Sequence, residues 1–127
     1  IRNHVAVAYL VECAHHVARR IAGEEGQLIG FPGCFPNPYA QRMMERLCTH
    51  PNVGAVVLVS LGCESFDRAA LERAVRDSGR PCLTVIIQAS GGSRASIAAG
   101  RAFVVEQAPL LAAAPTVAMA VSDLVVG

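Results

Sequence analysis

Three of the five cysteines are predicted to follow directly after strands. Cys13, Cys34 and Cys63 each come after a short apolar run, whereas Cys48 falls on the apolar face of a predicted helix and Cys82 begins a strand. In an open parallel sheet, the loops that follow the strands form the edge where ligands bind. The sequence therefore predicts that three thiols gather at one edge of a sheet, away from the other two.

Thiolates at such an edge are typical ligands of soft or borderline metals and of iron–sulfur centres. We interpret Cys34 and Cys63 as candidate metal ligands, with His15 or Glu64 as a further one. The alternative is that these thiols are small hydrophobic side chains without a chemical role, which is the commoner state of free cysteine. No spacing matches a zinc ribbon or a C-x-x-C redox pair, so a thiol redox protein is disfavoured.

The segment Gly91-Gly92-Ser93-Arg94 precedes a predicted helix. It offers backbone N–H groups, a serine as the helix N-cap and a guanidinium, which together form a site for a carboxylate or phosphate. A Gly-Gly turn capped by serine is also a common way to begin a helix without any ligand. The dinucleotide fingerprint G-x-G-x-x-G is absent after the first predicted strand.

Glu64 follows the central predicted strand and is the candidate for a general acid or base. The alternative is an exposed loop glutamate without a role in catalysis. No serine lies in a G-x-S-x-G elbow, which disfavours a Ser/His/Asp triad. The chain has no lysine, which excludes Schiff-base chemistry and a Walker-type P-loop.

Apolar runs alternate with amphipathic stretches, which predicts strands alternating with helices. Strands are predicted at residues 4–10, 27–31, 55–61 and 83–88, and helices at 12–22, 38–49, 67–78 and 94–108. One further strand is predicted within 117–121 or 124–126. Helical connections of this length require parallel pairing with right-handed crossovers. The predicted fold class is α/β, an open, mostly parallel sheet of about four to five strands with helices on both faces, a Rossmann-like three-layer sandwich.

The composition limits the classes of partner. The chain has 127 residues, of which 53% are hydrophobic and 17% charged, and its formal net charge is +1. This predicts a single domain that packs on other domains of one polypeptide or forms a homo-oligomer. No basic cluster points to nucleic acid, and no apolar stretch is long enough to span a membrane. Free cysteines without a secretory signal favour a cytoplasmic location.

Several strings, taken in order, resemble the middle domain of the altronate/galactarate dehydratase family. They are Ile1-Arg2-Asn3-His4, Cys13-Ala14-His15-His16, His50-Pro51-Asn52-Val53-Gly54, Gly62-Cys63-Glu64 and Gly91-Gly92-Ser93-Arg94. Two positions depart from the family: His15-His16 stands where an asparagine is usual, and the turn around Cys34 lacks the family's histidine.

The resemblance implies a hydro-lyase that removes water from a sugar acid to give a 2-keto-3-deoxy acid, with a divalent metal such as iron. It implies Cys63 and Glu64 as catalytic residues and Arg94, with the preceding Gly91-Gly92-Ser93, as substrate-binding residues. Residues 1–127 would be one Rossmann-like domain, inactive alone, of a longer polypeptide whose C-terminal catalytic portion is absent. The alternatives are a lyase subunit acting on sulfolactate, or a non-catalytic module that binds an anion or packs on other domains.

Overall fold

The structure is a computed structural model that describes residues 3–115 and 117–123. Four strands alternate with four α-helices along the chain. They are β1 His4–Tyr9, α1 His15–Ala22, β2 Gly26–Gly30, α2 Pro38–Cys48, β3 Val53–Ser60, α3 Arg68–Asp77, β4 Cys82–Ile86 and α4 Gly92–Ala112. Short 3-10 helices lie at Glu12–Ala14 and Val121–Asp123.

All four strands pair in parallel, in the spatial order β2-β1-β3-β4. The chain passes from β1 outward to β2 and then returns beyond β1 to form β3. The connections after β1 and β3 therefore lead in opposite directions, which is where open α/β sheets form a ligand crevice. The predicted α/β architecture with a parallel sheet is confirmed.

The core lies on both faces of the sheet. Val57 and Val59 of β3 pack on the face covered by α1 and α4, whereas Val56 and Leu58 pack on the face covered by α2 and α3. A strand buried on both faces needs apolar side chains at every position, which explains the uninterrupted apolar run. Each fully buried side chain of this size contributes about 1.5–3 kcal/mol to folding.

Side-chain caps fix the first turns of α2 and α3. The Asn37 side chain accepts a hydrogen bond from the Ala40 amide at 2.8 Å, and the Asp67 side chain accepts one from the Ala70 amide at 2.9 Å. Pro38 follows Asn37 at the first helical position, where its missing N–H costs nothing. The predicted start of α2 is thus confirmed.

Helices α1 and α4 approach closely at Gly100. A Cβ atom added there would lie 2.5 Å from Cδ1 of Ile21, so any larger residue would push the two helices apart. Glycine at this position is therefore a packing requirement. None of the described helices combines the length and apolar character needed to cross a membrane.

The C-terminal part differs from the prediction at the end of α4 and at residues 117–121. Helix α4 was predicted to end at residue 108, but it continues through Pro109 to Ala112, because Leu111 packs against the core and its carbonyl accepts from Asn3 Nδ2 at 3.3 Å. Residues 117–121 do not form the alternative fifth strand. Val117 and Val121 are 87% and 88% exposed, so no neighbouring strand covers them. The other candidate, 124–126, lies outside the described residues.

Candidate functional site

The turns after the four strands meet at the carboxyl edge of the sheet, as predicted. Backbone hydrogen bonds connect these turns: Glu12 N to Pro32 O at 3.2 Å, Ser65 N to Cys34 O at 3.0 Å, and Gln88 N to Leu61 O at 3.1 Å. The segment after β3, residues 61–65, takes part in two of the three connections, through Leu61 and Ser65. The Gly62-Cys63-Glu64 string therefore lies near the middle of this edge.

The thiols divide as the sequence predicts. Cys13, Cys34 and Cys63 are exposed on the carboxyl-edge turns, whereas Cys48 and Cys82 are buried. Burial, with a smaller effect from Cys82, raises the pKa of Cys48 to about 12. Burial, followed by the charge of Glu72, raises the pKa of Cys82 to about 11. These two thiols stay protonated and unreactive at neutral pH.

The three predicted metal ligands do not form a metal site by themselves. Within residues 3–115 and 117–123, no group of three or more His, Cys, Asp or Glu side chains is arranged to hold a metal ion. The His15 ring packs against Tyr9 with centroids 5.0 Å apart, and its Nδ1 lies 3.5 Å from Glu12 Oε1. His15 is thus engaged at the turn after β1, and metal binding by Cys34 and Cys63 stays a prediction.

The carboxylate of Glu64 is turned towards the protein. Its Oε2 accepts a hydrogen bond from the Gly62 amide at 2.8 Å, and its Oε1 is buried with no hydrogen-bond partner among the described residues. Next to it, the buried Ser60 Oγ accepts from Arg68 Nη1 at 2.9 Å. Cys63, between Gly62 and Glu64, is exposed.

The pKa of Glu64 lies below its usual value. Burial is the largest single effect and raises this pKa. The Ser60 hydroxyl, the Gly62 and Glu64 amides and the Arg68 charge lower it, and together they outweigh burial. The Ser60 hydroxyl acts here as a nearby dipole, since Oε1 has no hydrogen-bond partner among the described residues. Glu64 is therefore ionised at neutral pH, a state that can accept a proton but cannot donate one.

Sequence reasoning missed three residues around this turn. Ser60 and Arg68 flank Glu64, and Gln88 lies against Gly62, where an added Cβ would be 2.8 Å from Gln88 Oε1. Gly62 also has a φ of 120°, which disfavours any other residue. Only Ser60 left a sequence signal, as a polar residue that ends an apolar strand.

The start of α4 differs from the prediction. Its N-cap is Gly91, with a φ of 81°, and no side chain caps the helix. Ser93 is therefore not the N-cap, since Gly92 also has a positive φ and its amide donates to Ile87 O at 3.1 Å. A backbone hydrogen bond at Gly92 therefore takes the place of the predicted serine cap. Arg94 is exposed and makes no ion pair with any described residue, so its guanidinium is available to an anion.

The structure thus brings Cys34, Cys63 and Glu64 onto connected turns, and it puts Arg94 on the turn of the neighbouring strand β4. His15 belongs to the turn after β1. A family model described as D-galactarate dehydratase/altronate hydrolase, second domain, matches residues 1–112. No curated protein and no solved structure matches the chain.

Proposed function

Since the chain belongs to the family of D-galactarate dehydratase/altronate hydrolase second domains, we propose that it forms one wall of a sugar-acid hydro-lyase active site. The observation that supports this proposal is that the segments after the neighbouring strands β3 and β4 lie side by side at the carboxyl edge, joined by the hydrogen bond from Gln88 N to Leu61 O. Cys63 and Glu64 follow Leu61, and Arg94 follows Gln88 at the start of α4. The remaining catalytic groups would come from the C-terminal portion of a longer polypeptide.

The proposed reaction is a β-elimination. A base removes the proton from the carbon next to the substrate carboxylate, and the hydroxyl on the next carbon leaves with a proton as water. The resulting enol rearranges to a 2-keto-3-deoxy acid. We assign Arg94 and the amides of α4 that follow Gly92 to the substrate carboxylate, because a guanidinium and a helix N-terminus both favour an anion. We assign Cys63 to the wall that contacts the reacting carbons.

A divalent metal such as iron remains part of the expectation for the whole protein. The described residues of this chain do not fit a metal centre by themselves, because they offer no group of three ligands. The proposal therefore has no step that depends on a metal held by this chain. Cys34 and Cys63 would at most complete a site whose other ligands lie elsewhere in the polypeptide.

The test is a dehydration assay of the full-length protein on hexarates, aldonates and sulfolactate, with release of keto acid as the readout. We expect Arg94→Ala to raise KM about tenfold or more, since a charge-assisted contact is lost, while the melting temperature stays unchanged. Arg73→Ala, which removes an exposed arginine of α3, is the matched control. Absence of turnover on every substrate, or an unaltered KM in Arg94→Ala, would refute the assignment.

A second candidate function is a non-catalytic packing module. Three large apolar side chains are exposed on α2 and on the turn before it. The exposed fractions are 83% for Phe35, 69% for Tyr39 and 39% for Leu47. A groove of about 440 Å³ runs along this helix, lined in part by Tyr39, Arg42 and Leu47. Such an apolar surface is typical of contact with another domain or another copy. This alternative predicts no keto-acid release and no effect of Arg94→Ala.

A further inference from the structure

We propose that Glu64 is a positioning residue for Cys63, because its carboxylate closes the 62–65 turn from inside and directs the thiol outward at the carboxyl edge. This inference rests on the proposed function, which assigns Cys63 to the active-site wall. It gives Glu64 a different role from the proton transfer that its place after the central strand suggests.

The first supporting contact is the hydrogen bond from the Gly62 amide to Glu64 Oε2, at 2.8 Å. This bond folds the Glu64 side chain back past Cys63 and closes a short ring around it. Gly62, with a φ of 120°, supplies the backbone conformation that the ring needs. Glu64 Oε1 is buried in this arrangement, whereas Cys63 is exposed.

The second supporting contact concerns the other carboxylate oxygen. Glu64 Oε1 is buried, so a substrate at the edge does not reach it unless the turn opens. A group that transfers a proton needs a hydrogen-bond distance to the substrate atom. Ser60 and Arg68, joined at 2.9 Å, lie behind this carboxylate instead, and Arg68 supplies the positive charge that a partly buried carboxylate requires.

The test measures the alkylation rate of Cys63 in the full-length protein with iodoacetamide, resolved by peptide mass spectrometry. Exposed Cys13 in the same chain is the internal reference. Glu64→Gln keeps an oxygen that can accept from the Gly62 amide, so we expect the ratio of Cys63 to Cys13 rates to stay within about twofold. Glu64→Ala removes the bond, and we expect this ratio to change by about threefold to tenfold.

Activity gives the second readout. With Glu64 as a positioning residue, Glu64→Gln rescues most of the kcat that Glu64→Ala loses. With Glu64 as a proton-transfer residue, both variants lose about 100-fold or more in kcat, and the Cys63 rate is unchanged. Glu45→Gln, on the exposed side of α2, is the matched control for loss of one carboxylate.

Glu64→Asp provides a second variant if Glu64→Ala does not fold. It keeps the charge, but its shorter side chain draws the oxygen away from the Gly62 amide. We therefore expect the ratio of Cys63 to Cys13 alkylation rates to change as it does in Glu64→Ala. The inference would be overturned if the ratio of Cys63 to Cys13 alkylation rates did not change in Glu64→Ala or Glu64→Asp. Equal losses of kcat in Glu64→Gln and Glu64→Ala would also overturn it. Alkylation is measured without substrate, so its result stands even where no sugar acid is dehydrated and the proposed function itself fails.

Discussion

Two glutamates of this chain each precede an arginine by four residues, but their surroundings differ. Within α3, both oxygens of Glu72 are paired: Oε1 accepts from Arg76 Nε at 2.9 Å, and Oε2 accepts from Thr84 Oγ1 at 2.8 Å. In the turn before α3, Glu64 Oε1 has no partner among the described residues, since Arg68, the first residue of α3, donates to Ser60 instead. The same spacing therefore gives a complete ion pair in one region and an incomplete one in the other.

The difference comes from the helix. Glu72 and Arg76 both lie inside α3, where residues four apart share a face, so their side chains form an ion pair at 2.8 Å. Glu64 precedes the N-cap Asp67, so no helical geometry directs it towards Arg68. The comparison teaches that Glu72 fastens α3 to β4, whereas Glu64 shapes a turn.

Each region also contains a cysteine, and the thiols give the largest expected contrast. Cys82, near Glu72, has a pKa raised to about 11 by burial and then by that carboxylate, whereas Cys63 beside Glu64 is exposed. We expect iodoacetamide at pH 8 to alkylate Cys63 about 100-fold faster than Cys82, because the thiolate is the nucleophile. Peptide mass spectrometry over a time course measures both rates in one sample. Similar rates would show that the two environments do not differ in solution.

A smaller effect is expected on stability. Glu72→Ala leaves Arg76 and Thr84 without their shared acceptor, so we expect a loss of about 1 kcal/mol in the free energy of unfolding, measured by urea denaturation. Glu45→Ala on α2 controls for helix propensity, since both replacements are glutamate to alanine in a helix. A loss no larger than that of the control would mean that the Glu72 pair does not fasten α3 to β4.

The smallest effect is the pH dependence of that contribution. Arg76 lowers the pKa of Glu72 below its usual 4.5, burial opposes this, and Thr84 lowers it further. A lowered pKa stabilises the folded state above the unfolded pKa, and this stabilisation is lost as the pH falls through the folded pKa. We expect the difference in unfolding free energy between the wild type and Glu72→Gln to be about 0.5 kcal/mol at pH 7 and to vanish near pH 2.5. A difference that persists at pH 2.5 would assign the effect to packing.

The sequence predicts the fold where periodicity and caps are strong. The apolar run of β3 and the Asn37-Pro38 start of α2 are examples, because each depends on local chemistry. The extension of α4 past Pro109 was not predictable, since it depends on contacts of Leu111 with residues far away in the sequence. The cap at Gly91 was missed because two consecutive glycines with positive φ replaced the expected serine.

The sequence was sufficient to predict at which edge of the sheet the candidate site lies. Helical connections make the strands parallel, so the turns that carry Cys34 and Cys63 could be expected at the same edge of the sheet. The directions of side chains could not, because they are set by tertiary contacts. The inward carboxylate of Glu64 and its neighbours Ser60 and Arg68 appear only when β3 and α3 are in place.

The contact between Asn3 and Leu111 has a mechanical consequence. It joins the start of β1 to the last turn of α4 at the amino edge of the sheet, although the two residues are 108 positions apart. Leu111 also packs against the buried core, and its side chain lies over Gly54 at the start of β3. The last turn of α4 is thus fixed at the edge opposite the turns that carry Cys34 and Cys63.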